Sequence, residues 1–246
     1  MTERPAEQQS SAIVFGGARG IGAAIARQLA DDGFAVAITY LGSADKAAAV
    51  CEAISAAGGR AIALQADSRD SSAVRDAIER VSKELGPLDV VVVNAGVLRM
   101  NPIRSFPLED FDLLLDVNVR GVFLAIQASI PALRDGGRII TIGSNVAVRT
   151  GSPEGSVYAM TKAAVAKLVE GLALELAPRG ITVNNVQPGP TLTDLTAGFA
   201  DQIVEKIPLR RIGKPTEIAS LVSYLASSDA GFITGASLTI DGGFIL

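Results

Sequence analysis

Along this chain, short apolar runs rich in β-branched residues alternate with longer segments whose apolar positions recur at helical spacing. The runs Ala12–Phe15, Ala35–Thr39, Ala61–Gln65, Val90–Val93, Arg138–Ile142, Thr182–Val186 and Ser237–Ile240 read as strands. Helical patterns lie between them, near 20–32, 44–57, 71–85, 108–134, 157–178 and 215–227. The strands are apolar throughout rather than alternating, as in a parallel sheet covered on both faces by helices. The pattern predicts an α/β fold, a doubly wound parallel sheet of about seven strands in one domain. Gly33, Gly58-Gly59, Gly86-Pro87, Gly136-Gly137 and Pro178–Gly180 stand where each helix must stop before the next strand. Residues 190–214 lack this rhythm, hold Pro190, Gly198, Pro208 and Gly213 with an apolar patch at Phe199–Val204, and are expected to form a lid. Residues 1–10 are polar and read as a flexible tail, leaving 11–246 as the domain.

Composition narrows the chemistry. At 246 residues and 48% hydrophobic, the chain can bury roughly three-quarters of its unfolded surface. A formal charge of −4 with no basic stretch excludes a nucleic-acid role. No apolar run reaches a membrane span, the N-terminus has no secretory core, and the single Cys51 suits a reducing compartment, so a cytoplasmic location is expected. Histidine is absent. A zinc site would then rest on carboxylates, a poor donor set for that ion. Proton transfer must fall to Tyr, Lys, a carboxylate, Cys51 or water, and the tyrosines are three: Tyr40, Tyr158 and Tyr224.

The first strand runs into Gly16-Gly17-Ala18-Arg19-Gly20-Ile21-Gly22 and then a helix. Glycines there allow a sharp turn and bring a helix N-terminus, with unpaired N–H groups, up to a pyrophosphate; a purely structural turn is the alternative. About twenty residues on, where an acidic side chain would hold the ribose of NAD, the chain reads Thr39-Tyr40-Leu41-Gly42-Ser43. Arg19 and Ser43 suit a 2′-phosphate instead, unless Arg19 is a solvated surface cation. NADP(H) is therefore favoured over NAD(H). Tyr158 and Lys162 stand four apart, on one helical face, where an ammonium would lower a phenol toward working pH. Ser144 ends the fifth strand, at the sheet edge where such folds place their sites, and Asn94-Ala95-Gly96 ends the fourth. Asn118 lies mid-helix, where it either bonds a helix carbonyl or holds a water in a proton relay.

Together these residues resemble the short-chain dehydrogenase/reductase family, whose fold is Rossmann-like. The marks are Gly16-x-x-x-Gly20-Ile21-Gly22, Asp67, Asn94-Ala95-Gly96, Asn118, Ser144, Tyr158-x-x-x-Lys162, Pro188-Gly189 and the segment Gly235 to Gly243. The resemblance implies a catalytic tetrad of Asn118, Ser144, Tyr158 and Lys162. In it Tyr158 is the acid/base, Ser144 positions the substrate oxygen, Lys162 tunes the tyrosine and binds ribose, and Asn118 holds a water. It also implies a cofactor site of Asp67 and Ser68 at the adenine, with Asn94, Ala95 and Gly96 along the dinucleotide. Pro188, Gly189, Thr191 and Thr193 fall at the nicotinamide and phosphates, and Arg19, Tyr40 and Ser43 match NADP(H)-preferring members. Two positions depart: Phe15 replaces the usual Thr and Val93 the first of two usual asparagines, both of which brace backbone.

The expected activity is NADPH-dependent reduction of a small-molecule ketone, similar to β-ketoacyl-carrier-protein reductases. Alternatives are an alcohol or sugar dehydrogenase working oxidatively, or a nucleotide-binding regulator. An acyl carrier protein would dock on rim arginines Arg99, Arg104, Arg149, Arg210 and Arg211, which are equally plausible as solvated cations. The family's habit implies a homotetramer, with the apolar tail Phe244-Ile245-Leu246 buried between subunits.

Overall fold

The computed structural model describes residues 9–151, 153–194, 196, 198 and 203–246. Residues 1–8 of the expected tail, and Leu195, Ala197 and Phe199–Gln202 of the expected lid, lie outside the described residues. The folded chain begins slightly earlier than expected. Ala35 N–H donates to the Ser10 carbonyl (2.7 Å), extending the pairing of the first strand.

The described residues form strands β1 (Ser11–Phe15), β2 (Ala35–Tyr40), β3 (Ala61–Gln65), β4 (Leu88–Val93), β5 (Leu133–Ile142), β6 (Thr182–Pro188) and β7 (Ser237–Ile240). All pair in parallel, in the order β3-β2-β1-β4-β5-β6-β7. Helices α1 (Gly20–Asp31), α2 (Ala44–Ala56), α3 (Ser71–Leu85), α4 (Leu108–Leu115), α5 (Gly121–Ser129), α6 (Ser156–Leu176) and α7 (Pro215–Ala226) cover it. Successive strand residues point to opposite faces, so each strand feeds two cores. Ile13 and Val91 meet α3, α5 and α6 through Val74, Ile78, Ile126 and Val169. Val14 and Val92 meet α1, α2 and α7 through Ile25, Leu29, Val50 and Val222. Because the strand order reverses between β1 and β4, a crevice opens beyond their C-terminal ends, and the site lies there.

Two departures from the sequence-based elements have clear causes. The helix expected over 108–134 is divided: α4 passes through a π-turn, Asp116–Arg120, into α5, and the helix ends at Ser129. Gly136-Gly137 does not precede β5 but lies within it. Leu133, fully buried, already pairs with Leu88, and the register shifts before Arg138 pairs with Val90. The extra residues bulge out, and Gly136 (φ +77°) takes the left-handed backbone this needs. The C-terminal tail packs on its own subunit. Arg149 donates to the carbonyls of Ile245 (3.2 Å) and Leu246 (3.0 Å), and Asp241 accepts from the N–H groups of Gly243 and Ile245. Among the described residues, no helix is long and apolar enough to cross a membrane.

Candidate active site

A groove of about 560 Å³ runs along the crevice, lined by Gly16, Arg19, Gly20, Ile21, Tyr40, Ser43, Asp67, Ser68, Asn94, Ala95, Gly96 and Thr193. All twelve were singled out from sequence. A nicotinamide dinucleotide fits this groove on two observations. The first is a backbone cradle that only glycine permits. A Cβ on Gly22 would stand 2.2 Å from the Gly16 carbonyl oxygen and 2.5 Å from Asn94 Nδ2, and Gly16 holds φ +76° with Ala95 Cα 2.9 Å from where its Cβ would be. The second is the donor set. Arg19, at the N-cap of α1, and Ser43, at the N-cap of α2, make no side-chain capping bond, and both line the groove. In the groove wall Asp67 is clamped by Arg69 (Nη2–Oδ2 2.7 Å), whose hydrogen bonds hold its carboxyl below the usual range. Leu113, Val117 and Asp194 also line the groove and carried no motif that would have marked them.

Gly96 joins this groove to Asn118 and Lys162, for a Cβ there would lie 3.4 Å from Asn118 Oδ1 and 3.5 Å from Lys162 Nζ. The π-turn explains Asn118. It turns the buried side chain out of the helical ladder and toward the loop after β4, so that Oδ1 accepts from Val97 N–H (2.8 Å) and Nδ2 donates to the Val97 carbonyl (2.9 Å). Nδ2 also donates to Thr161 Oγ1 (3.3 Å), which itself donates to the Tyr158 carbonyl (2.7 Å). Asn118 thus ties the β4 loop to the helix carrying Tyr158 and Lys162. It does not bond a carbonyl of its own helix.

Lys162 is buried and donates to the Ile142 carbonyl (3.1 Å), while the Tyr158 hydroxyl hydrogen-bonds Ser144. Burial pushes Tyr158 up to about 12, the Ser144 bond pulling partly the other way, and pushes Lys162 down to about 8. The phenol is therefore raised rather than lowered. Lys162 stands 5.8 Å from the ring centroid and spends a hydrogen bond on the β5 backbone, so desolvation dominates. Pro188 and Gly189 close β6 nearby; Gly189 is pressed against Asp241, whose Cβ would lie 2.3 Å from an added Cβ. Thr191 is buried and donates to the Gly189 carbonyl (3.0 Å).

The profile of the family described as enoyl-(acyl carrier protein) reductase matches residues 16–245. The chain belongs to the short-chain dehydrogenase/reductase family. It is 42% identical over 242 residues to the 3-oxoacyl-(acyl-carrier-protein) reductase FabG of Staphylococcus aureus, covering 96% of this chain and 98% of that one. A short-chain dehydrogenase/reductase from Serratia marcescens superposes with a TM-score of 0.94 at 49% identity, covering 97% of this chain and 99% of that chain. A short-chain dehydrogenase from Burkholderia cenocepacia in complex with NADP does so at 0.93 and 46%, covering 96% and 98%. This short-chain dehydrogenase/reductase is an oxidoreductase, and its seven-stranded sheet is the Rossmann-like one that the sequence predicts.

Proposed function

We propose that the protein reduces a ketone to a secondary alcohol with NADPH, using Tyr158 as proton donor. The observation that carries this is the pairing of Tyr158 with Ser144 beside Lys162, at the end of the groove where a Gly96 Cβ would lie 3.5 Å from Lys162 Nζ. When bound, the cofactor supplies the hydride. Ser144 holds the carbonyl oxygen against the phenol and favours the negative charge that develops there. Tyr158 gives its proton to that oxygen. Lys162 is held by the Ile142 carbonyl of β5, and its charge stabilises the phenolate left when Tyr158 gives up its proton, which solvent then restores. One lone pair on Asn118 Oδ1 remains for a relay water.

The ketone is either free or carrier-bound: four of the five candidate docking arginines make bonds within the chain, but these are exposed and exchangeable. Arg99 pairs with Asp110 (3.0 Å), Arg211 with Glu217 (2.6 Å), Arg149 bonds the tail and Arg210 the Glu205 carbonyl. The NADP complex of the Burkholderia relative supports NADPH, as do Arg19 and Ser43 in the groove wall. We also infer a cytoplasmic homotetramer and a lid over 190–214. The test is NADPH consumption with a panel of activated ketones, repeated on Tyr158→Phe. A loss of about 10²–10⁴-fold is expected, with nucleotide binding intact; a variant keeping more than about a tenth of kcat overturns the assignment.

A further inference from the structure

At one rim of the groove, Lys46 Nζ lies 2.8 Å from Asp194 Oδ2, joining α2 to the stretch that follows β6. Asp194 lines the groove together with Arg19, Tyr40 and Ser43. Its neighbour Thr193 sits over the glycine turn, with Cγ2 3.3 Å from where a Gly20 Cβ would be. Ser43 and Lys46, three apart at the start of α2, share one helical face. An anion belonging to the chain itself is thus already seated beside the cations that the 2′-phosphate reading invokes. The hydrogen bond and charge of Lys46, with a smaller contribution from Arg19, hold the Asp194 carboxyl below its usual range.

Building on the proposed NADP(H) preference, we propose that Lys46 is a second cation for the 2′-phosphate, and that Asp194 is an internal anion which the phosphate must displace. Both side chains are more than half exposed, 56% and 64%, so their pairing is weak and exchangeable. A phosphate of charge about −1.5 to −2 attracts Lys46 more strongly than a single carboxylate does. Once displaced, Asp194 is left close to a like charge. It therefore weakens binding of 2′-phosphorylated nucleotides while leaving those with a free 2′-hydroxyl almost untouched. Lys46 and Asp194 act on the same ligand with opposite sign, which a simple surface ion pair cannot do.

Direct binding of adenosine 2′,5′-bisphosphate and of 5′-AMP to the full chain, measured by calorimetry at low salt, tests this without turnover. Asp194→Asn should tighten the bisphosphate by roughly three- to tenfold and Lys46→Gln should weaken it by a similar factor, from the strength of exposed charge contacts. Neither should move 5′-AMP by more than about twofold, and added salt should shrink both effects. The inference is overturned if the two ligands shift in parallel, if both variants shift the bisphosphate in the same direction, or if neither moves it. A wild-type protein that binds the two ligands equally overturns the NADP(H) reading itself, and the inference with it.

Discussion

Replacing Lys162 with methionine is expected to abolish turnover and to make the fold's stability less dependent on pH. Burial takes the ammonium from 10.5 to about 8, which at 1.36 kcal/mol per unit is about 3 kcal/mol of disfavour for the charged form in the folded state. Below pH 8 both folded and unfolded chains carry the proton, and the fold bears that cost in full. Between about pH 8 and 10.5 only the unfolded chain keeps it, so stability rises with pH through this window. The Tyr158 phenol works in the opposite sense, but only above about pH 10, where the unfolded chain begins to ionise. Methionine removes the charge but also leaves the Ile142 carbonyl without its donor, at a cost of about 1–3 kcal/mol. The net gain at pH 7 is then roughly 0–2 kcal/mol, or up to about 8 °C in Tm for a chain of this size. The pH response is the cleaner signal. Urea unfolding at fixed protein concentration should show wild type gaining about 2 kcal/mol more than Lys162→Met between pH 7 and 9.5. A difference between the two proteins that stays constant across that range would show that Lys162 is not held in the neutralising environment described.

Arg19→Ala should raise KM for NADPH roughly ten- to a hundredfold while changing KM for NADH far less; an unchanged ratio of the two kcat/KM values would leave Arg19 facing only solvent. Gly22→Ala drives a methyl into the Gly16 carbonyl and Asn94, so nucleotide binding followed by fluorescence should be lost and stability reduced by about 1–3 kcal/mol. Light scattering should find a homotetramer, for which α5 and α6 present the exposed Phe123, Met160 and Leu174, whereas a monomer would refute it. A chain ending at Gly243 should melt earlier because it loses the Arg149 anchor and the partly buried Phe244 and Ile245, and an unchanged Tm would show that the tail contributes nothing.

What the sequence made legible was whatever depends on local pattern. Continuous apolar runs such as Val90–Val93 place a strand without knowledge of its neighbours, and glycine spacing marks the turn at Gly16–Gly22. The residues that escaped depend on distant packing. Nothing in Leu133 distinguishes a helix end from a strand start; the decision comes from Leu88, across the sheet. Asp194 and Lys46 lie 148 residues apart and meet only when the groove forms. The direction of the Tyr158 shift escaped for the same reason. Spacing of i and i+4 puts a cation near a phenol, but burial decides which effect wins, and burial belongs to the whole fold.

The two departures from the family pattern, Phe15 and Val93, illustrate how such a site keeps its geometry while its bracing residues change. The glycine turn still has polar partners. Gly16 N–H donates to Thr39 Oγ1 (3.1 Å), Gly17 N–H to the Thr39 carbonyl (3.0 Å), and Asn94 Nδ2 to the Gly16 carbonyl (2.8 Å). Thr39 comes from β2 on one side and Asn94 from the end of β4 on the other, so the turn is held between the two strands that flank β1. With the backbone satisfied from its neighbours, positions 15 and 93 need no polar side chain. Phe15 (1% exposed) and Val93 (2%) instead join the core against α3, α5 and α6. Burying Phe15 stabilises the fold by about 1.5–3 kcal/mol through transfer from water. The same burial stiffens the strand end from which the turn projects. The requirement at this site is for a fixed backbone path at Gly16–Gly22, and that path is met here by an apolar floor with polar bracing from both sides.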